Sequence, residues 1–142
     1  MPKTTKKALI LASVASMIDL FNRNNIKILQ DLGYQVDVAS NFSYGSITSQ
    51  EKVNECKEEL QSIEVHVHNI EYPRSPLKLI KIIKAYKATK QLVNNNYKLV
   101  HCHSPIGGIL CRLAFRKARK KETNVIYTAH GFHFYKGAPI KN

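Results

Sequence analysis

The run Lys7-Ala8-Leu9-Ile10-Leu11-Ala12-Ser13 constrains the fold more tightly than any other stretch of the chain. A strand with one wet face alternates polar and apolar residues. A run apolar throughout belongs in the middle of a sheet covered on both faces, which is the habit of parallel sheets clothed by helices. The residues that follow supply the covering. Ile18, Phe21, Ile26, Leu29 and Leu32 recur at helical spacing and lead into Gly33, a residue type that readily ends a helix. The spacing predicts one helix over 18–32. Tyr34–Ser40 reads as a second strand, and a polar loop over 41–49 leads to a charged helix over 50–61. Ile63–Ile70 alternates strictly, as a strand with one solvated face at a sheet edge does.

The pattern then repeats. Ser75-Pro76 offers an N-cap and first helical position for a helix over 77–95, whose buried residues are expected to be Leu79, Ile80, Ile83 and Leu92. Tyr97–His103 is the fourth strand. Ser104-Pro105 repeats the helix-start signal for a helix reaching about Lys120, Asn124–His130 is the fifth strand, and 131–142 is a loop. Strands alternating with helices imply right-handed crossovers and a parallel sheet. The most apolar strand is the first and the most amphipathic is the third. That suits a doubly wound, Rossmann-like α/β domain over residues 1–142 with strand order 3-2-1-4-5. Ligands bind such sheets beyond the carboxyl ends of the strands, near the switch point between strands one and four.

Several classes are set aside by composition. No apolar run approaches the roughly 18 residues that span a bilayer. The apolar stretch Ala8–Ala15 follows a basic start, but Asp19 and Asn22-Arg23-Asn24-Asn25 stand where a secretory signal would have its core and cleavage site. Cys56, Cys102 and Cys111 form no CxxC pair and read as free thiols, so a reducing, cytoplasmic setting is expected. The net charge of +12 is concentrated: between Tyr72 and Lys121 there are thirteen Lys and Arg residues and no Asp or Glu. Such a block implies an anionic partner, whether nucleic acid, an acidic membrane surface or a phosphorylated ligand, or else a merely solvated basic face. The basic segments carry no interleaved aromatics for base stacking and no nucleic-acid motif, so no specific nucleic-acid partner is expected.

The candidate site lies at the carboxyl ends of the strands. The loop Ser13–Met17 has no glycine, so the GxGxxG dinucleotide fingerprint is absent and no nicotinamide-type cofactor is expected. Its small residues Ser13 and Ser16 either admit a ligand or permit close packing. Ser104-Pro105-Ile106-Gly107-Gly108 presents backbone N–H groups at a helix start, suited to a phosphate or a sugar hydroxyl; the plain alternative is a cap followed by packing glycines. His66 and His68 share one face of strand three, and His101 and His103 one face of strand four. With two strands between them the pairs stand about 14 Å apart, and no acidic ligand or CxxC accompanies either, so no metal is expected. His66 and His68 read as surface residues of an edge strand. Thr128-Ala129-His130-Gly131-Phe132-His133-Phe134-Tyr135-Lys136-Gly137 ends a strand with a histidine, a glycine and aromatic residues. His130 there is placed for proton transfer or for bonding a sugar hydroxyl, or else simply caps the strand.

Taken together, Lys7–Ser13, the Val14–Asn22 turn, Leu99–Pro105 and Tyr127–Phe132 resemble the N-terminal, acceptor-binding domain of retaining GT-B glycosyltransferases. The likeness is to family 4 members from bacterial capsule and exopolysaccharide synthesis. It covers essentially the whole chain, and Thr128–Gly137 is its most specific part. The resemblance implies two Rossmann-like domains facing across a cleft, with the nucleotide-sugar donor bound mainly by a C-terminal domain that this sequence is expected to lack. On that account the chain alone is expected to be inactive. The resemblance makes His130 the catalytic residue beside the transferring sugar, and Ser13, Ser16, His103, Ser104, Gly107, Gly108, Gly131, Phe132 and His133 the acceptor- or substrate-binding set. The glycine-rich loop many members carry after strand one is absent here. Implied partners are a lipid-linked or growing glycan acceptor, the donor, the second domain and an anionic membrane surface at the inner face of the cell membrane. Two alternatives stay open: a non-catalytic basic domain binding nucleic acid or acidic membrane, and half of a GT-B sugar-nucleotide epimerase.

Overall fold

Residues Ala8 to Leu11 have no exposed surface, and the sheet is assembled around them. In the computed structural model, which describes residues 5–130, five parallel strands form one sheet. They are β1 (Lys7–Leu11), β2 (Gln35–Ser40), β3 (His66–Asn69), β4 (Leu99–His103) and β5 (Asn124–Thr128), in the order β3-β2-β1-β4-β5. The doubly wound arrangement expected from the sequence is the one found. β1 takes the centre because it alone is apolar on both faces. Leu9 pairs with Asp37 of β2 on one side and Val100 of β4 on the other.

The helices are α1 (Ala15–Phe21), α2 (Arg23–Asp31), α3 (Gln50–Ser62), α4 (Leu79–Leu92) and α5 (Pro105–Ala114). They divide between the two faces by the alternation of side chains along the strands. Ala8, Ile10, Val36 and Val38 pack with Ile18, Ile26, Val53 and Leu60 of α1–α3. Leu9, Leu11, Val100 and Cys102 pack with Ala85 and Leu92 of α4 and with Leu110 and Cys111 of α5. All three cysteines are free and buried, and burial pushes the Cys56 thiol up to about 11.

The elements depart from the sequence reading in four places. The helix over 18–32 is two helices, broken at Asn22, a fully buried residue whose amide donates to Met17 O at 3.0 Å and accepts from Asn25 at 3.1 Å. Its side chain competes for the backbone as asparagine does at a helix end. Ser75-Pro76 does not open α4: Ser75 Oγ accepts from Leu77 N in a local turn, and the helix begins only at Leu79. α5 stops at Ala114, leaving a short 3-10 turn at Ala118–Lys120. The fourth departure is energetic. Leu79, Ile80 and Ile83 are exposed, while Ala85, Thr89 and Leu92 face the sheet. Small residues at 85 and 89 let the helix axis approach, and Thr89 Oγ1 meets the buried Tyr72 hydroxyl at 2.7 Å.

β3 corrects a further expectation. His66 is exposed, but His68 is half-buried and its Nε2 lies 3.1 Å from Asp37 Oδ2, which also accepts from Tyr97 OH at 2.5 Å. Burial by itself raises the Asp37 carboxyl, yet the bonds from His68 and Tyr97 outweigh it and hold the group below the ordinary carboxylate range. Burial and the neighbouring carboxylate raise the Tyr97 phenol, so it remains a donor.

Candidate functional site

Two loops meet at the switch point, one after β1 and one after β4. Ser13 follows β1, and its N–H donates to Ser104 Oγ at 3.3 Å; its own Oγ accepts from Gly107 N at 3.0 Å. These bonds knit the two loops together across the end of the sheet. Ser104 sits at φ +72 and ψ 147, a conformation an L-residue rarely holds, and Pro105 follows as the first residue of α5. Backbone held in such a region stores on the order of 1–3 kcal/mol and tends to be found where a chain meets a ligand.

The N–H groups expected to be free at the start of α5 are partly used. Gly107 N–H is taken by Ser13, and Gly108 N–H closes the first helical turn onto Ser104 O. Both glycines have a packing role. A Cβ at Gly107 would lie 3.0 Å from Ser13 Oγ and 3.1 Å from Leu11 Cδ2, and one at Gly108 would lie 2.5 Å from the Tyr127 ring. Ser16, nearly fully buried, accepts at Oγ from Ile47 N at 3.2 Å and donates its N–H to Ser46 Oγ at 3.1 Å. It anchors the loop over 41–49 across the start of α1.

The histidines converge. His101 and His103 share the face of β4 turned toward α1–α3, with ring centroids 4.1 Å apart. β5 lies alongside in register, so His103 stands opposite Thr128, and the chain then brings His130 over it. His103 Nδ1 and His130 Nε2 share a hydrogen bond of 2.9 Å, and the rings are 5.1 Å apart. Phe21 from the end of α1 packs on the other flank of His130 at 5.0 Å, and Thr128 Oγ1 lies 2.7 Å from His101 Nε2. The sequence reading paired His101 with His103 on one face of strand four, whereas Phe21 and Thr128 carried no site signal of their own. Strand order 3-2-1-4-5 makes β4 and β5 neighbours, and that alone brings the HxH pair beside the histidine after β5.

Burial governs the protonation of this group. His103 is 1% exposed, and burial, reinforced by the charges of His101 and His130, pushes it down to about 3. His101 is lowered by burial and by His130. A neutral His103 has one N–H. Its Nε2 is buried with no partner, and an orphaned acceptor is tolerated better than an orphaned donor. The proton therefore belongs on Nδ1, which donates to His130 Nε2. A neutral His130 then carries its own proton on Nδ1, on a ring that is exposed. Gly131, Phe132 and His133 lie outside the described residues. Among the described residues no three or more His, Cys, Asp or Glu side chains are arranged to hold a metal ion. A cavity of about 1060 Å³, lined by Gln30, Tyr34, Gln61 and His66 among others, opens at the amino ends of β1–β3, away from His101, His103 and His130.

Residues 7–142 match the model of a family described as glycosyl transferase 4-like. The chain belongs to that family. It is 38% identical over 139 residues to a Bacillus subtilis (strain 168) protein named as a glycosyltransferase, EpsD, a match covering 97% of this chain and 32% of EpsD. This glycosyl transferase 4-like chain therefore spans about a third of that relative's length. Among solved structures it resembles MurG of Acinetobacter baumannii, with a TM-score of 0.62 at 17% identity over 89% of this chain and 37% of MurG. It also resembles a deacetylase of teicoplanin biosynthesis, with a TM-score of 0.59 at 12% identity over 96% of this chain and 72% of that one. At such identities these likenesses show the fold alone.

Proposed function

We propose that this domain is the acceptor-binding half of a retaining GT-B glycosyltransferase. The whole enzyme moves a sugar from a nucleotide-sugar to a lipid-linked or growing glycan in surface polysaccharide synthesis, of the capsule or exopolysaccharide kind. The observation that carries the proposal is the pairing of His130 with His103 at the carboxyl end of the sheet, in a chain whose family is glycosyl transferase 4-like. His130 is the catalytic residue in this reading. Its Nδ1–H, oriented through Nε2 by His103, is a donor to a hydroxyl or to developing charge on the transferring sugar. Ser13, Ser16, Ser104 and Gly107 tie the loops together and with Gly108 shape the floor, and Gly131, Phe132 and His133 are assigned to acceptor binding in this reading. The donor is bound mainly by a second domain, which faces this one across the cleft. No resident cofactor is invoked, and the acceptor reaches the cleft from the cytoplasmic side.

The experiment joins this domain to the C-terminal domain of its full-length enzyme and measures transfer from nucleotide-sugars. His130→Ala should lower kcat about 100-fold or more with the fold intact, because the residue is exposed at a strand end. A variant with near-normal kcat makes His130 structural. The chain of residues 1–142 by itself should show no steady turnover, since reactants held by two domains are positioned only when both are present.

A further inference from the structure

Like charges crowded together on a surface repel one another unless something meets them. From Tyr72 onward the sequence holds a single acid, Glu122, and Lys98 already engages it in an ion pair. At the ends of α4 and α5 the basic side chains border a concavity. One hollow of about 620 Å³ lies between the two helix ends, and a second of about 480 Å³ adjoins it. Val93, Asn94 and Lys117 line both, so the two join into one trough. Tyr86, Val93, Leu113 and Ala114 give it an apolar floor. Lys87, Lys90, Arg116, Lys117 and Lys121 stand along it, all exposed.

Helix ends account for some of these cations. Lys90 and Arg112 lie in the last turns of α4 and α5, where a positive charge meets the helix dipole. That effect fades beyond the last turn. Arg116 and Lys117 follow the end of α5, Lys121 follows the 3-10 turn at Ala118–Lys120, and the one acid lining the trough is the paired Glu122. The trough also stands apart from the candidate site. Lys98 and Thr123, which precede β4 and β5, line it, so it opens at the amino edge of the sheet. His103 and His130 stand at the carboxyl edge.

We infer that this trough receives an acidic peptide segment of a partner protein, its carboxylates meeting the Lys and Arg side chains and its apolar side chains resting on Val93, Leu113 and Ala114. Three features favour that occupant. A flat bilayer or a rigid duplex does not reach the floor of a trough between two helix ends, whereas a single extended chain does. Cations line both hollows: Lys87, Lys90 and Arg116 the first, Lys121 the second and Lys117 the two together. Charge spread in this way matches a row of carboxylates better than one phosphate group. Gln91, Asn94 and Asn96 add amides that both donate and accept, as the N–H and C=O groups of a peptide backbone require. A segment bound at the amino edge leaves the carboxyl edge open, so it tethers the domain to its partner without competing with substrate. The surface goes beyond the transferase reading and does not rest on it.

The full chain is titrated with a labelled peptide of glutamates interspersed with leucines, and with its lysine–leucine counterpart, without any sugar donor. Binding is expected for the acidic peptide alone and should weaken with salt. Backbone amide resonances should move along 87–96 and 113–123 and stay still at His101, His103 and His130. Combined Arg116→Gln, Lys117→Gln and Lys121→Gln should weaken binding about tenfold, as the loss of three exposed ion pairs does. Combined Lys52→Gln, Lys78→Gln and Lys84→Gln removes the same charge away from the trough and should weaken it about twofold at most. Leu113→Asn should weaken the leucine-containing peptide severalfold and leave a peptide of glutamates alone unaffected. All seven positions are exposed, so circular dichroism should be unchanged. No binding of the acidic peptide, equal losses in the two triple variants, resonance shifts confined to other regions, or a Leu113→Asn variant that distinguishes neither peptide would each overturn the inference. So would adenosine triphosphate, single-stranded DNA or anionic vesicles binding more tightly than the peptide and lost with the same three cations, which would give the trough to another ligand. Because no transfer is measured, failure here leaves the transferase reading standing, and failure of transfer leaves the peptide trough standing.

Discussion

Lowering the pH from 7 to 5 should destabilise this chain through one buried ring. His103 is held down to about 3 in the folded state, against an ordinary value of 6.5. A histidine depressed in this way contributes stability that is complete above the unfolded pKa. That contribution is lost as the pH falls from 6.5 toward 3, where the unfolded chain binds a proton the folded chain refuses. At pH 5 the unfolded ring is almost wholly charged and the folded ring almost wholly neutral. The loss between pH 7 and 5 comes to about 2 kcal/mol, with a slope approaching 1.4 kcal/mol per pH unit. His101 is lowered too and acts in the same direction, so the comparison that isolates His103 is with His103→Phe, which keeps a ring of similar size. The forces that lower His101 are its burial and the charge of His130, and both survive that substitution. Urea unfolding at a series of pH values should give a slope in this window for the wild type that is reduced by about 2 kcal/mol over the two units in the variant. The ring Cε1–H resonance of His103 should stay flat down to about pH 4. A midpoint above 5.5, or identical slopes for the two proteins, would refute the account of His103 as a neutral, buried positioning group.

Three further outcomes are expected. Asp37→Asn and Tyr97→Phe should each destabilise, and a double-mutant cycle should give a coupling of about 2 kcal/mol, the size of a hydrogen bond to a buried charged group; a value under 0.5 would mean the 2.5 Å contact contributes little. Because the Asp37 carboxyl is lowered, its share of stability is present above about pH 3.9 and lost as the pH falls through its depressed folded value, below most of the His103 window. Gly107→Ala should cost about 1–2 kcal/mol despite the better helix former, since its Cβ meets buried Leu11 and Ser13. Gly108→Ala should cost less on thermal unfolding, because Tyr127 at the open edge of the sheet can swing its ring toward solvent, and the reverse order would show that this ring is fixed.

Much of the fold was legible before any coordinates. The almost wholly apolar β1, the alternation in β3 and the helical spacings between them are local signals, and each depends only on which faces a segment must bury. From them follow the parallel sheet, its strand order and the edge where a ligand is expected. The resemblance carried by Thr128–Gly137 pointed to the family that the full match then showed. What local pattern could not supply was the identity of neighbours. Leu79, Ile80 and Ile83 are the most apolar residues of α4, and hydrophobicity alone assigns them to the core. The sheet instead selects Ala85 and Thr89, because close approach of a helix depends on small side chains and on the Tyr72 hydroxyl waiting below. Asp37, His68 and Tyr97 are distant in sequence and carry no shared motif, so their network exists only once the sheet, in the order β3-β2-β1-β4-β5, brings the three together. The same holds for the site. The sequence by itself determined that His103 and His130 stand at strand ends, since a strand's length and direction are local properties. Only the tertiary structure decided that β5 lies against β4 in the register that places one ring on the other, burying His103 and orienting His130 through it, because burial and proton placement depend on what surrounds a group in space.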